Sequence, residues 1–253
     1  LSMSLGDGQV WGHQALIRKI QRRTVDRNIS SPFYKKAHVK DYYNELELHF
    51  RGDYGIIFRA YNDGVAYRFI FTGKKSFVVK EETVEYCFPN DWQSYVAFVR
   101  TQGYHKNNLS REGSFEDQFF KSFVNTYSHV SLSEWDTGRL ALVPMVVSPG
   151  DESAICIAES DVLDYPGLYF NRSDSENVIR GVFAPYPKEI HQGGFNDLQG
   201  VVHSREPYIA RCEGARFFPW RVFIVANLEC QLADNDMVYR LASPSRIEDI
   251  SWI

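Results

Sequence analysis

The stretch FRAYNDGVAYRF, from Phe58 to Phe69, places a turn sequence between two runs rich in aromatic and β-branched residues. Asn and Asp favour turn positions, and Gly64 can adopt a positive φ without steric cost. A three-residue loop of Asn62, Asp63 and Gly64 predicts a β-hairpin in which a type I turn is closed by a glycine bulge.

The predicted loop also determines which side chains face each other across the two strands. Phe58 would lie opposite Arg68, and Arg59 opposite Tyr67, so that each guanidinium could stack on a ring. These pairs explain the residue types as parts of a structural hairpin. The alternative is a platform of rings on which a sugar stacks, which the local spacing does not require.

Short segments of the same kind recur along the 253 residues. Most are rich in β-branched and aromatic residues and are bounded by Gly, Asn, Asp or Pro, which is typical of strands. They outnumber the seven strands of an immunoglobulin sandwich. The sequence therefore predicts an all-β fold, a large antiparallel two-sheet β-sandwich (a super-sandwich) with a few short helices. Because no Pro/Ser/Gly-rich linker or fixed-period repeat interrupts the chain, residues 1–253 are predicted to form a single domain.

Two segments are candidates for the short helices. They are HQALIRKIQRRTVDR, at residues 13–27, and FEDQFFKSF, at residues 115–123. Short apolar patterns of this kind also fit strands, so periodicity alone does not decide between the two structures.

Composition restricts the class of the protein. A net charge of -4, without any block of Lys and Arg, argues against a nucleic-acid partner. No stretch approaches the roughly 20 apolar residues that span a bilayer, so neither a membrane span nor a signal peptide is predicted from this sequence. Cys87, Cys156, Cys212 and Cys230 show no C-x-x-C spacing, which argues against a zinc site. Cys156 and Cys230 are interpreted as buried small hydrophobic residues.

Three segments, in order, resemble the N-terminal domain of glycoside hydrolase family 97. The first is RAYNDGVAYRF, within the hairpin. The second is CIAESDVLDYPGLYF, from Cys156 to Phe170, which is similar to the family's Glu-containing strand followed by Asp-Tyr-Pro-Gly. The third is RFFPWRVFIVAN with LASPSRIEDISWI, which is similar to the segment that runs up to the catalytic barrel. The family comprises exo-acting α-glycosidases of polysaccharide-degrading bacteria, notably Bacteroidetes.

The resemblance implies an architecture of an N-terminal β-sandwich, a (β/α)8 barrel and a C-terminal β domain. The chain would be the sandwich, an N-terminal accessory domain of a longer hydrolase and a fragment lacking the catalytic barrel. Glycoside hydrolysis generally uses two carboxylates. In this family the barrel carries them, so no catalytic residue is assigned and the isolated domain is expected to be inactive.

The resemblance also implies partners and a location. The partners would be the barrel, the C-terminal domain and an α-linked glucoside or galactoside. The barrel would decide between these two substrates, and between inversion and retention. Export to the periplasm is implied by the family.

One residue is given a metal-binding role by the resemblance. The family's α-glucosidases hold an active-site calcium ion with barrel carboxylates and one glutamate of the N-terminal domain, and the matching position is Glu159. Calcium takes roughly six to eight oxygen ligands, so one glutamate can complete such a shell but cannot form it. Glu159 is therefore expected to bind calcium only when the barrel is present. The alternative for Glu159 is a solvated acid at a strand end.

The residues that follow Glu159 are interpreted as a turn. Asp161 and Asp164 lack the spacing of an EF-hand loop, which argues against a self-contained calcium site. The sequence DYPG predicts a type II turn in which Gly167 adopts the positive φ.

Two further alternatives are open. The chain could be a stand-alone carbohydrate-binding or adhesion β-sandwich, since exposed rings stack on sugars, or a purely structural sandwich in a larger assembly. Within FFPWR, Trp220 is predicted to pack in the core because large rings are mostly buried, and Arg221 could face either the core or the barrel.

Overall fold

The computed structural model describes residues 1–31, 34–100, 118–119, 124–150, 153–249 and 251–252. The strands are β1 Ser2–Leu5, β2 Val10–Trp11, β3 Ile17–Ser30, β4 His38–Phe50, β5 Tyr54–Tyr61, β6 Gly64–Phe71, β7 Phe77–Thr83, β8 Glu85–Cys87, β9 Gln93–Val96, β10 Ser128–Ser131, β11 Ala141–Leu142, β12 Met145–Ser148, β13 Ala154–Ser160, β14 Leu168–Arg172, β15 Val178–Phe183, β16 Pro187–Gly193, β17 Gln199–Arg205, β18 Ala210–Cys212, β19 Arg216–Phe217 and β20 Trp220–Ala226. Two short α-helices follow, α1 Glu229–Ala233 and α2 Met237–Leu241, and single 3-10 turns occur at Leu132–Glu134 and Phe195–Asp197.

The strands form one large sheet and three smaller ones, with antiparallel pairing. The large sheet has the order β10-β9-β12-β13-β20-β6-β5-β4-β3, and β19 pairs with β6. Two four-stranded sheets, β18-β7-β1-β2 and β11-β14-β15-β8, pack on one face of the large sheet. Strands β16 and β17 form a two-stranded sheet. The predicted large antiparallel sandwich with a few short helices is confirmed.

The main core lies between the large sheet and the two four-stranded sheets. Trp11 from the first small sheet, Phe170 from the second, and Ile157 from the large sheet belong to one buried cluster. The Trp11 ring stacks on Tyr54 with 5.0 Å between the ring centroids. Large rings supply much of the apolar area that stabilises such a layer.

A second buried cluster lies on the opposite, outer face of the large sheet. Met237 and Leu241 of α2 pack there against Trp220, Val222 and Ile224 of β20. Trp220 is 1% exposed, which confirms its predicted place in a core. In the described part of the chain, no helix is both long and apolar enough to cross a membrane.

The predicted hairpin is present, but its predicted register is wrong. Tyr61 pairs with Gly64, so the loop contains two residues rather than three. Phe58 consequently faces Tyr67 instead of Arg68.

The two arginines of the hairpin stack on rings, as expected, but on rings of other strands. The guanidinium of Arg59 lies 4.3 Å from the Tyr43 ring centroid and 4.6 Å from that of Trp220. Arg68 lies 4.4 Å from Trp220 and 4.1 Å from Phe217. These rings and guanidiniums form a row across the outer face of the large sheet.

The helix predicted at residues 13–27 is wrong. Most of that segment belongs to β3, which pairs with β4 from Ile17 to Ser30 and forms one edge of the large sheet. The second predicted helix, at residues 115–123, falls outside the described residues except for Gln118 and Phe119. Gln118 donates to the carbonyl of Gly138.

The cysteines are all free thiols. Cys156 is half-buried against the outer cluster, which agrees with its interpretation as a small hydrophobic residue. Cys230 is exposed, because it lies on α1 rather than in a strand, and its interpretation as buried is wrong.

Candidate functional site

Glu159 lies near the end of β13, on the side of the large sheet that faces the main core. Side chains alternate along a strand, and Ile157 and Ile155, two and four residues earlier, pack in the main cluster. The Glu159 side chain is only 10% exposed. Its interpretation as a solvated acid is therefore wrong, because it is a largely buried carboxylate that needs partners.

Both oxygens of Glu159 accept hydrogen bonds. The backbone N–H of Leu168 donates to Oε1 at 2.9 Å, and Nη1 of Arg221 donates to Oε2 at 2.6 Å. Glu159 and Arg221 are directly opposite each other in the pairing of β13 with β20. The ion pair is thus a cross-strand pair, and it places Arg221 in the core rather than at the surface.

A second carboxylate, that of Glu82, binds the other edge of the same guanidinium. Nη2 of Arg221 lies 2.9 and 2.8 Å from the two oxygens of Glu82, and Nε lies 3.3 Å from Oε1. Glu82 belongs to β7 in the opposing layer, so Arg221 connects the two layers of the sandwich. We call Glu82, Arg221 and Glu159 the buried triad.

A bulge in β7 turns Glu82 towards the core. The pairing of β7 with β1 passes from Val79 to Glu81 and leaves Lys80 without an opposite residue. The strand therefore buries Val79 and Glu82, whereas strict alternation would bury Glu81. Sequence reasoning missed Glu82 for this reason. The available signal was Arg221 within an apolar strand, because a buried guanidinium needs a carboxylate partner.

The buried triad carries one more negative than positive charge. Burial raises the pKa of Glu159 above its ordinary value, while Arg221 and the Leu168 N–H act in the opposite direction. Burial lowers the pKa of Arg221, but the two carboxylates raise it by more, so the guanidinium is strongly held in its charged form. A second cation close to Glu159 would balance the excess negative charge.

The loop after Glu159 differs from the predicted type II turn. Asp161 and Asp164 adopt positive φ values of 59° and 48°, whereas Gly167 does not adopt a positive φ. The prediction of a type II turn with a positive φ at Gly167 is therefore wrong. Asp tolerates such a conformation better than most residues. The carboxylate of Asp161 accepts hydrogen bonds from Arg68 and from the backbone of Ser243. Asp161 therefore links segments of the chain.

The described residues supply one candidate calcium ligand and not a complete shell. Within them, no group of three or more His, Cys, Asp or Glu side chains is arranged to hold a metal ion. Each oxygen of Glu159 accepts one hydrogen bond from the described residues, and a carboxylate oxygen has two lone pairs. Glu159 thus fits the role of one oriented ligand in a shell whose other oxygens come from elsewhere.

Comparison with known proteins places this chain beside glycoside hydrolases. The family model described as Glycosyl-hydrolase 97 N-terminal matches residues 1–244. The chain is also 43% identical over 253 residues to a protein of Bacteroides thetaiotaomicron named retaining alpha-galactosidase. The match covers 100% of this chain but only 37% of that relative.

Solved structures share the fold. A glycoside hydrolase family 97 enzyme from Pseudoalteromonas sp. strain K8, in complex with acarbose, superposes with a TM-score of 0.75 at 18% identity, over 100% of this chain and 34% of that one. A beta-arabinopyranosidase superposes with a TM-score of 0.69 at 19% identity, over 96% of this chain and 37% of that one. At such identities the likeness concerns the fold alone.

Proposed function

Because the chain belongs to the glycosyl-hydrolase 97 N-terminal family, we propose that it is the non-catalytic N-terminal β-sandwich of an exo-acting α-glycosidase. In the parent enzyme it packs on a (β/α)8 barrel, forms part of the active-site pocket and supplies the carboxylate of Glu159 to a calcium ion. The observation that carries the proposal is the buried, doubly hydrogen-bonded carboxylate of Glu159, in a triad with an excess negative charge.

The position of Glu159 in the fold supports this role. The next residue, Ser160, donates its hydroxyl to the carbonyl of Val238 in α2, and Asp161 accepts a hydrogen bond from Ser243. The strand end that carries Glu159 is thus tied to the segment after α2, the segment that resembles the approach to the catalytic barrel. The barrel would have to supply the remaining oxygens of the shell.

The chemistry of the parent enzyme follows from the family. A bound calcium ion would orient catalytic carboxylates or polarise substrate and water. The residues of this chain would hold and orient one ligand and shape one wall of the pocket. We propose α-galactosides as the substrates in preference to α-glucosides, because the relative from Bacteroides thetaiotaomicron is named as an alpha-galactosidase. The proposed location is the periplasm.

The parent enzyme with Glu159→Gln tests the site. We expect the calcium Kd, measured by isothermal titration calorimetry, to rise at least about tenfold, with loss of activity and an unchanged circular dichroism spectrum. Glu176→Gln is the matched control, because Glu176 is an exposed acid of the same domain. Unchanged calcium affinity and unchanged calcium dependence of activity in Glu159→Gln would contradict the assignment.

The isolated chain tests the domain assignment. Purified residues 1–253 should not hydrolyse nitrophenyl α-galactoside or nitrophenyl α-glucoside, and turnover would overturn the non-catalytic assignment.

The alternative function is a stand-alone carbohydrate-binding or adhesion sandwich, in which exposed rings would stack on sugars. Phe217 and Tyr95, which are 58% and 45% exposed, are candidates for such rings. Clear binding of the isolated chain on a glycan array would favour that alternative.

A further inference from the structure

We propose that Glu82 and Arg221 form a positioning pair that fixes the direction of the Glu159 carboxylate and leaves its negative charge available to a cation. This inference rests on the proposed function, because the cation is the calcium ion assigned to Glu159. Glu82 and Arg221 are positioning residues, and only Glu159 would contact the ion.

The geometry of the Arg221 guanidinium determines where the Glu159 carboxylate can lie. Arg221 gives its Nε and Nη2 edge to Glu82 and its Nη1 to Glu159. The five N–H donors of arginine lie in one plane at fixed angles. Once Glu82 holds one edge, the direction of Nη1, and with it the place of Glu159 Oε2, is determined.

Burial makes this arrangement rigid. The side chains of Arg221 and Glu82 are 2% and 4% exposed, and the guanidinium also lies 5.2 Å from the ring centroid of Phe183. The other oxygen of Glu159 is held by the N–H of Leu168 in a different strand. The carboxylate is therefore oriented by two donors before any ion binds. Hydrogen-bond donors and acceptors around a metal ligand usually have this orienting role.

Glu82 also determines how much of the negative charge of Glu159 is available to a cation. Glu82 by itself neutralises Arg221, so the negative charge of Glu159 is not needed as its counter-ion. Without the charge of Glu82, the negative charge of Glu159 would be the counter-ion of a buried arginine, and a cation would have to compete with that guanidinium. Charge interactions are strong where water is excluded, so this competition would lower the affinity for calcium.

Glu82→Gln in the parent enzyme is the main test, with Glu81→Gln as the matched control. Glu81 precedes Glu82 on β7 and is exposed. We expect Glu82→Gln to raise the calcium Kd by about 10- to 100-fold, measured by calorimetry and by competition with terbium luminescence. Glu81→Gln should stay within about twofold of the wild type.

Two further measurements separate positioning from a general loss of structure. At saturating calcium, Glu82→Gln should recover the turnover of the wild type, which an unfolded or distorted enzyme would not do. Arg221→Lys keeps the charge but lacks the planar fork, so it should also raise the calcium Kd. If Glu82→Gln fails to fold, Arg221→Lys and Glu82→Asp, which retain both charges, take its place.

The outcomes distinguish this inference from the function on which it rests. If Glu159→Gln weakens calcium binding while folded Glu82→Gln and Arg221→Lys bind calcium as the wild type does, the positioning pair is overturned and the proposed function stands. If Glu159→Gln itself leaves the calcium Kd unchanged, the proposed function is overturned, and the role of the pair with it.

Discussion

Asp161 accepts a hydrogen bond from the backbone N–H of Ser243, with 3.0 Å between Oδ1 and N. Its other oxygen accepts one from Nη1 of Arg68 at 3.1 Å. Asp161 lies two residues after Glu159, and Ser243 lies two residues after the end of α2. One carboxylate therefore ties the strand of the candidate ligand to the hairpin and to the C-terminal segment.

Asp161→Ala should destabilise the domain strongly. The side chains of Arg68 and Asp161 are 9% and 10% exposed, so the variant leaves a buried guanidinium without its counter-ion. We expect a loss of about 3–5 kcal/mol in the free energy of unfolding, measured with urea. Asp174→Ala, at an exposed acid, is the control and should change little. Equal losses in the two variants would show that Asp161 is not a structural link.

Gly64→Ala should also be destabilising, because the backbone of β20 approaches this residue closely. A Cβ atom at Gly64 would lie 2.1 Å from the carbonyl oxygen of Phe223 and 2.5 Å from Sδ of Met237. Relieving such an overlap typically costs about 1–3 kcal/mol. Gly8→Ala is the control, since it has a φ of +88° but no atom within 4 Å. A melting temperature lower for Gly8→Ala than for Gly64→Ala would refute the steric explanation.

The stability of the domain at acidic pH should depend on Glu45. Burial raises the pKa of this carboxyl, but hydrogen bonds from Arg23 and Arg59 lower it by more, so the net shift is downward. A carboxyl with a lower pKa in the folded state contributes stability above its unfolded pKa, about 4.3 for Glu, and loses it as the pH falls through the folded value. Glu45→Gln should therefore lose less stability than the wild type on acidification.

Urea denaturation at a series of pH values measures this difference. The wild type should show a steeper fall in the free energy of unfolding below about pH 4.3 than Glu45→Gln. Glu176→Gln, at an exposed acid, should follow the wild type. Parallel curves for Glu45→Gln and the wild type would mean that the pKa of Glu45 is the same in the folded and unfolded states.

Strand content could be predicted from the sequence because alternation and turn residues are local signals. The register of the hairpin could not be predicted in this way. Gly64 packs closely against the backbone of Phe223, which is distant in the sequence. The structure of residues 13–27 could not be predicted for a similar reason. Residues 17–27 form a strand because they pair with β4, and no local pattern contains that partner.

The candidate site was only partly predictable. Family resemblance points to Glu159 as a candidate ligand but does not predict its burial. Glu82 and Arg221 are 139 residues apart, and the bulge at Lys80 breaks the alternation that would have marked Glu82 as inward-facing. Pairs of this kind depend on how two layers meet, which is a property of the packed sandwich and not of either strand.

The basic residues of β3 lie along an edge of the large sheet. An edge strand presents unpaired N–H and C=O groups, which can template the addition of a strand from another chain. Strand β3 carries five cations, namely Arg18, Lys19, Arg22, Arg23 and Arg27. Two copies joined along this edge would bring these like charges together, so the strand that resembles a helix in sequence is expected to resist association through its edge.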